Sequence, residues 1–169
     1  MGRRVVALVL GLVLLHSAVA RAAHPSQQAP VFKKLLDYDR SLQSRKGAYV
    51  VLVVHTANVQ VAQDIIAEFR KVGVAAISAP VAQLPQLIVR ASAAYLVSDA
   101  VTPQVLDLCA QNKVLTLSDG DRFVGSGQVA VGLGAAADGR QEIVVHLGRM
   151  RAEGHELPAS VLRLARVIR

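Results

Sequence analysis

A chain of 169 residues with one cysteine is long enough for one domain with a hydrophobic core, but it cannot form an internal disulfide. The formal net charge is +7, yet aromatic residues make up only 4% of the chain and tryptophan is absent. Because nucleic-acid sites combine clustered positive charge with stacking aromatic side chains, this composition argues against nucleic-acid binding.

The first 22 residues are typical of an export signal. Arg3 and Arg4 give the start a positive charge, residues 5–15 are apolar, and small residues that suit signal peptidase follow. The apolar run is shorter than the roughly 20 residues that a membrane-spanning helix needs. We therefore expect a cleaved signal peptide and a periplasmic protein.

The expected domain boundaries follow from this start. Residues 1–22 are assigned to the signal peptide, the polar, proline-bearing residues 23–30 to a linker, and residues 31–169 to a single domain. Loss of residues 1–20 removes two arginines and leaves 17 basic against 12 acidic residues. The exported chain is therefore mildly basic, with a net charge of +5.

Apolar periodicity predicts alternating helices and strands up to residue 118. A helical stripe predicts a first helix that is closed by Gly47; the stripe is formed by Phe32, Leu35, Leu36 and Leu42. Runs rich in apolar residues predict four strands, at residues 48–55, 74–78, 93–98 and 113–118. The segments between them predict helices at residues 58–72, 81–92 and 102–112. Strands that alternate with helices imply crossover connections and a parallel sheet.

Cap residues mark the ends of two of these helices. Asn58 is the expected N-cap of one helix, and Gly73 follows its end. Thr102 is the expected N-cap of the other, with Pro103 at its first position. Cys109 lies late in this second helix on its apolar face, which favours a buried small hydrophobe over a reactive thiol.

The pattern changes after residue 120. Residues 127–133 and 141–147 predict two strands joined by a hairpin turn at Asp138-Gly139. The remaining residues predict two helices, split at 154–158. In the second of these helices, one face would be buried and another would be basic. The buried face would consist of Val161, Leu162, Ala165 and Ile168, and the basic face of Arg163, Arg166 and Arg169. Such a basic face is either a solvated surface or a binding site for an acidic partner or a membrane surface.

Together these elements predict a single three-layer α/β domain. Its sheet is mostly parallel, with about four strands and a C-terminal antiparallel hairpin, and helices cover both faces. Antiparallel strands at the edge of a parallel sheet are common.

One short motif suggests a nucleotide site. Gly125, Gly127 and Ala130 have the spacing G-x-G-x-x-A of a dinucleotide-binding turn. That turn requires a strand before it and a helix after it, so that the helix N-terminus meets the pyrophosphate. The predicted order is the reverse, with a helical turn before the glycines and a strand after them. We therefore interpret the glycines as a tight turn that leads to the sheet edge.

Polar residues follow three of the predicted parallel strands. The carboxyl-terminal ends of such strands, which we call the crest, are where α/β proteins bind ligands. The crest candidates are His55, Thr56, Ser98, Asp99, Ser118 and Asp119. They could hydrogen-bond a polar ligand or form an acid-base set, or they could only cap helices and turns. No nucleophile stands in a catalytic motif, and no histidine or cysteine pair has metal-binding spacing, so we expect neither an enzyme, a metal site nor a cofactor.

The sequence resembles the YfiR-like (HmsC-like) periplasmic proteins, the DUF4154 domain family. In residues 113–168 the resemblance rests on the strand end at residues 115–119, on Gly125 and Gly127 before the hairpin, and on residues 162–165. Residues 32–42 are similar to the opening helix of one branch of the family. These motifs are structural, so they bear on the fold and the compartment more than on an activity.

The resemblance implies a non-enzymatic regulator that contacts the sensor domain of an inner-membrane signalling protein such as a diguanylate cyclase. The chain departs from the family because only Cys109 is present, which argues against disulfide-based redox control, and because the second hairpin strand ends in an unusual His146. Arg163, Arg166 and Arg169 are the expected partner-binding residues, and a second copy of the chain is a further candidate partner. The alternative function is a periplasmic small-ligand-binding domain that uses the crest.

Overall fold

The computed structural model describes residues 25–44, 48–136, 138 and 140–169. The predicted signal peptide lies outside the described residues, as do Gly47 and Gly139 of the two predicted turns. Within the described part of the chain, no helix is long and apolar enough to cross a membrane.

Within the described residues, seven strands form one sheet in the order β2-β1-β3-β4-β5-β6-β7. The strands are β1 Val50–His55, β2 Ala75–Pro80, β3 Ala93–Leu96, β4 Leu115–Ser118, β5 Val131–Ala135, β6 Gln141–His146 and β7 Ala165–Ile168. Strands β1 to β5 run parallel, β6 is antiparallel to β5, and β7 is parallel to β6. The predicted α/β fold is confirmed, although the described sheet has seven strands instead of six.

The helices connect the strands and cover both faces of the sheet. They are α1 Pro25–Tyr38, α2 Arg40–Gln43, α3 Val59–Lys71, α4 Leu84–Leu87, α5 Pro103–Gln111, α6 Arg122–Gly125, α7 Leu147–Ala152 and α8 Ala159–Leu162. Short 3-10 turns lie at Val81–Gln83, Ile88–Arg90 and Ser98–Ala100.

The period-2 alternation of the buried strands divides the core in two. Val51 and Val53 of β1 point to the face covered by α1 and α3, where they join Phe32 in one hydrophobic cluster. Leu52 and Val54 point to the opposite face, which α4 and α5 cover. A strand buried on both faces needs apolar residues at every position, which explains the continuous run of β1.

Three aromatic rings anchor the first cluster. Phe32 of α1, Phe69 of α3 and Tyr95 of β3 are all buried, and their ring centroids lie 5.9 to 6.4 Å apart. Edge-to-face and offset contacts of this kind favour one arrangement of the helices on the sheet. The N-terminal helix is thus part of the core.

The N-terminal boundary differs from the prediction. Residues 25–30, predicted as a linker, form the first turns of α1, and Gln28 and Ala29 are buried. The predicted first helix also breaks at Asp39, whose side chain accepts a hydrogen bond from Ser41 N and caps α2. The Asp39 side chain thus supplies an acceptor for the Ser41 backbone N–H, which would have no partner within α2.

Two other predicted helices are wrong in part. Residues 81–90 form two 3-10 turns around the single turn of α4, rather than one helix. The predicted closing helix ends at Leu162, and Ala165–Ile168 is strand β7. Helical spacing alone favoured the helix, but β6 offers a free edge whose backbone groups pair with β7.

The two predicted hairpin strands and the predicted turn at the glycines are confirmed. Strands β5 and β6 are antiparallel neighbours, with β5 beginning at Val131. Gly127 has φ +75° between α6 and β5, a conformation that favours glycine. A Cβ at this position would lie 3.1 Å from Nε2 of His146. The motif is therefore a turn that leads into a strand.

Cys109 is buried in the second cluster, as predicted. Burial, with a smaller effect from the nearby Glu153, raises the pKa of its thiol to about 12. A thiol with this pKa is almost entirely protonated at neutral pH, so it serves as a small core side chain.

Candidate functional site

The crest candidates fall into separate groups in the structure. His55 ends β1 and is buried, whereas Thr56, directly after it, is exposed. Ser98 and Asp99 form the 3-10 turn that follows β3. Ser118 ends β4 and is buried, but its hydroxyl donates to its own loop, at Gly120 O.

Asp99 links the loop after β3 to the start of α3. Its Oδ2 accepts hydrogen bonds from the backbone N–H groups of Ala57, at 2.9 Å, and Asn58, at 3.1 Å. Thr56 Oγ1 donates to the backbone oxygen of Asp99, at 3.0 Å. Asn58 was predicted to cap α3 with its own side chain, but that side chain makes no cap hydrogen bond. The carboxylate that satisfies these donors comes instead from another loop.

The charge of Asp99 suits this position. Burial favours the neutral acid, but the backbone donors outweigh it and hold the pKa of Asp99 below its ordinary value. A negative charge near a helix N-terminus is also favoured by the helix dipole. Asp99 is therefore ionised at neutral pH and fixes two crest loops relative to each other.

Replacing Asp99 tests this link. We expect Asp99→Ala to lower the free energy of unfolding by about 1 to 2 kcal/mol at pH 7, because the backbone donors of Ala57 and Asn58 lose a charged acceptor. Asp99→Asn keeps one acceptor and should lose less. Urea unfolding followed by circular dichroism measures both values.

The same variants have a defined pH dependence. The folded pKa of Asp99 is lower than its unfolded value of about 3.8, so its stabilisation is present above the unfolded pKa and is lost as the pH falls through the folded pKa. The difference between the native chain and Asp99→Asn should therefore shrink below about pH 4. A difference that stays constant down to pH 2 would contradict the role of the charge.

His55 forms the second group of the crest, together with Ser78. The strand alternation turns His55 to the same face as Val51 and Val53, where its side chain is buried. Its Nε2 lies 2.8 Å from Oγ of Ser78, which belongs to the neighbouring strand β2. The sequence did not indicate Ser78, because only the parallel pairing of β1 with β2 brings it to His55.

Two polar atoms at the crest are buried without a hydrogen-bond partner among the described residues. They are Nδ1 of His55 and Oδ1 of Asp99. Buried polar atoms in native proteins are nearly always paired, with protein groups, water or a ligand. An imidazole nitrogen can donate or accept, whereas the oxygen of an ionised Asp99 can only accept.

The Ser78–His55 hydrogen bond matches the first two members of a hydrolase triad. A triad also requires an acid on the other imidazole nitrogen, to fix the tautomer and stabilise the imidazolium. That nitrogen of His55 is unpaired within the described residues. The arrangement therefore lacks the orienting acid, and it is better suited to hydrogen-bonding a polar group.

Tyr95 and Asp119 lie at the same end of the sheet. The hydroxyl of Tyr95 donates to Gln28 Oε1, at 2.7 Å, so the first turn of α1 is tied to β3. Burial raises the pKa of Tyr95 well above its ordinary value, and the negative charge of Asp119 adds to this effect. The phenol is therefore a neutral donor at physiological pH.

The C-terminal arginines do not share one helix face, contrary to the prediction. Arg166 lies in β7 and forms ion pairs with Asp121 and Glu142. Arg163 and Arg169 are exposed on either side of that strand. Because two carboxylates hold the guanidinium of Arg166, Arg163 and Arg169 are more accessible to an acidic partner.

Sequence reasoning missed two buried polar clusters at the opposite side of the domain. In the first, His155 Nδ1 lies 2.5 Å from Asp39 Oδ2, and His155 Nε2 lies 3.0 Å from the carbonyl oxygen of Lys113. The carbonyl oxygen only accepts, so Nε2 is the donor in that hydrogen bond, and Nδ1 faces the carboxylate of Asp39. A lone histidine after a glycine gives no signal of this partnership in the sequence.

The second cluster surrounds Glu153 of the segment after α7. Its carboxylate accepts from the backbone N–H and the hydroxyl of Thr116, at 2.9 and 2.7 Å, and from Arg149 Nε, at 2.6 Å. Burial raises the pKa of Glu153, and the donors of Thr116 and Arg149 oppose that shift. The i, i+4 spacing of Arg149 and Glu153 is visible in the sequence, but its burial is not.

No group of three or more histidine, cysteine, aspartate or glutamate side chains within the described ranges could hold a metal ion.

Comparisons with known proteins bear on the fold alone. No family model matches the chain, and no curated protein matches it in sequence. Two solved structures are similar in fold at 13% sequence identity. One is a conserved domain protein from Vibrio cholerae O1 biovar El Tor strain N16961, with a TM-score of 0.62 over 86% of this chain and 60% of that chain.

The other is described as the ABC domain in complex with L-Trp from Streptococcus pneumoniae. It has a TM-score of 0.61, over 85% of this chain and 62% of that chain. The present chain thus spans about three-fifths of the length of both proteins.

Proposed function

We propose that the chain is a periplasmic, non-enzymatic domain that binds a small polar ligand at the crest. The observation that carries this proposal is the pair of buried polar atoms without described partners, His55 Nδ1 and Asp99 Oδ1. A ligand that places an N–H or O–H donor on Asp99 and a polar group on His55 would satisfy both.

The strand order supports a site at this end of the sheet. In open α/β sheets, ligands bind outside the carboxyl ends of the strands. Strand β1 lies between β2 and β3. The connection from β1 to β2 and the connection from β2 to β3 therefore run in opposite directions across the sheet. The structure from Streptococcus pneumoniae that shares this fold holds L-Trp, which makes an amino acid a reasonable first probe.

Titration calorimetry with the twenty amino acids, L-Trp first, tests the proposal. We expect at least one to bind the native chain, and we expect His55→Gln and Asp99→Asn each to weaken that binding at least tenfold. Asparagine would use its single acceptor on the backbone of Ala57 and Asn58 and would present a donor to the ligand instead of an acceptor.

A matched control separates the crest from general effects on the fold. His146→Gln changes a half-buried histidine whose Nδ1 accepts from Arg149 N, away from the crest, and it should bind as the native chain does. Absence of binding by all twenty amino acids at millimolar concentration would reject this ligand class. Equal affinity of His55→Gln and the native chain would reject the crest as the site.

The second candidate function is the regulator that the family resemblance implies. The observation in its favour is that Arg163 and Arg169 are exposed beside β7, an edge strand of the sheet. Edge strands and exposed basic side chains suit contact with an acidic protein surface. Crosslinking of the exported protein in its native envelope, followed by mass spectrometry, would favour this function if it captures an inner-membrane sensor with a cyclase domain.

A further inference from the structure

A cleft on the protein surface shares no lining residue with the crest. It has a volume of about 610 Å³ and lies between α2, α7, α8 and the segment that joins the last two. Volumes of roughly 300 to 1,000 Å³ are typical of small-molecule sites. We call it the arginine cleft; its lining includes Arg40, Arg151, Glu156, Met150, Leu157 and Leu162.

Three contacts fix the two sides of the arginine cleft relative to each other. The backbone N–H of Arg40 donates to Glu156 O, at 3.0 Å, and the Arg40 guanidinium pairs with the Glu156 carboxylate, at 2.8 Å. Directly beneath, the buried pair of Asp39 and His155 joins the residues next to them. The cleft therefore connects the N-terminal helices with the C-terminal segment through ordered contacts.

The floor of the arginine cleft is apolar. Leu147 and Leu162 are half-buried and present apolar surface to the cleft, and Met150 and Leu157 are buried behind them. Such a floor favours a ligand with an apolar part, because contact removes apolar surface from water.

The rim of the arginine cleft carries an excess positive charge. Arg40 is paired with Glu156, whereas Arg151 is exposed and forms no ion pair with any residue that the structure describes. Arg151 is thus available to a ligand anion, in a fork geometry that suits a carboxylate or a phosphate.

We propose that the arginine cleft is a second binding site, which takes a small amphipathic anion. The anionic head pairs with Arg151, and the apolar chain lies on Leu147 and Leu162. This site is independent of the crest, and it does not depend on the function proposed for the crest.

Decanoate is the probe that tests this proposal, with titration calorimetry on the native chain. We expect Arg151→Gln to weaken decanoate binding at least tenfold, because it removes the only cleft cation without a described acidic partner. Ala159→Trp, at the mouth of the cleft, should weaken it further by filling the space above the floor. Decyltrimethylammonium, with the same chain and an opposite charge, should bind at least tenfold more weakly than decanoate, and decyl phosphate should bind as decanoate does.

Two control variants test whether decanoate binds at the arginine cleft and not elsewhere. Arg163→Gln removes an exposed arginine that does not line the cleft, and His55→Gln changes the crest; both should leave decanoate binding unchanged. If Arg151→Gln binds decanoate as tightly as the native chain, or if the cationic probe binds equally well, the proposal is rejected. Because His55→Gln separates the two sites, failure here and failure at the crest are distinguishable.

Discussion

His155→Ala should lower the free energy of unfolding by about 3 to 5 kcal/mol, which is a large fraction of the stability of a typical domain. The substitution leaves the buried carboxylate of Asp39 without its partner and removes the donor to Lys113 O. It also opens a cavity between the N-terminal helices and the segment after α7. Urea unfolding followed by circular dichroism gives the value.

A double-mutant cycle identifies the pair as the cause. Asp39→Ala alone leaves Nδ1 of His155 without its partner, but the combined variant removes both groups, so its loss of stability should be smaller than the sum of the two single losses. His146→Ala is the matched control: His146 accepts a single hydrogen bond at the start of α7, and its loss should cost about 1 kcal/mol. A cost below about 1 kcal/mol for His155→Ala would show that the pair adds little to stability.

Glu153→Ala is expected to cost about 3 to 5 kcal/mol as well. It removes the acceptor of the Thr116 backbone N–H, which is buried, and leaves the mostly buried guanidinium of Arg149 without its carboxylate. The hydroxyl of Thr116 also accepts from Ala130 N, so the substitution should also weaken the contacts of the residue that precedes β5. The cluster joins β4, β5 and α7, and all three should loosen together.

Hydrogen exchange can locate this loosening. Amides of Thr116 and Ala130 should exchange faster in Glu153→Ala by at least tenfold, since both donate within the cluster. Glu156→Ala provides the comparison, because Glu156 belongs to an exposed ion pair and should cost less than about 1 kcal/mol. If the two glutamate variants were equally stable, the buried cluster would not be a major source of stability.

The places of the crest residues were predictable, but their contacts were not. His55 and Asp99 follow apolar strands, and parallel strands bring such positions to one edge of the sheet. The sequence could not show that Asp99 accepts from Ala57 and Asn58, because those residues lie 42 and 41 positions away along the chain. For the same reason the partner of His55, Ser78, was not a candidate.

The three-layer α/β fold was determined locally, by the sequence itself. Continuous apolar runs, the Thr102 cap and the positive-φ Gly73 act over a few residues, so they place the first four strands and the ends of α3 and α5. The tertiary structure decided the last strand. Spacing from Leu162 to Ile168 fits a helix, but β6 leaves an unpaired edge, and pairing with Ala165–Ile168 satisfies it.

Tertiary packing also determined which buried polar groups pair. Asp39 and His155 are 116 positions apart, and each is an ordinary surface residue by composition. Only the packing of α1 and α2 beside the segment after α7 buries them, and a buried carboxylate must then find a partner. Local interactions determined most of the elements, whereas long-range packing determined the last strand and which polar groups meet.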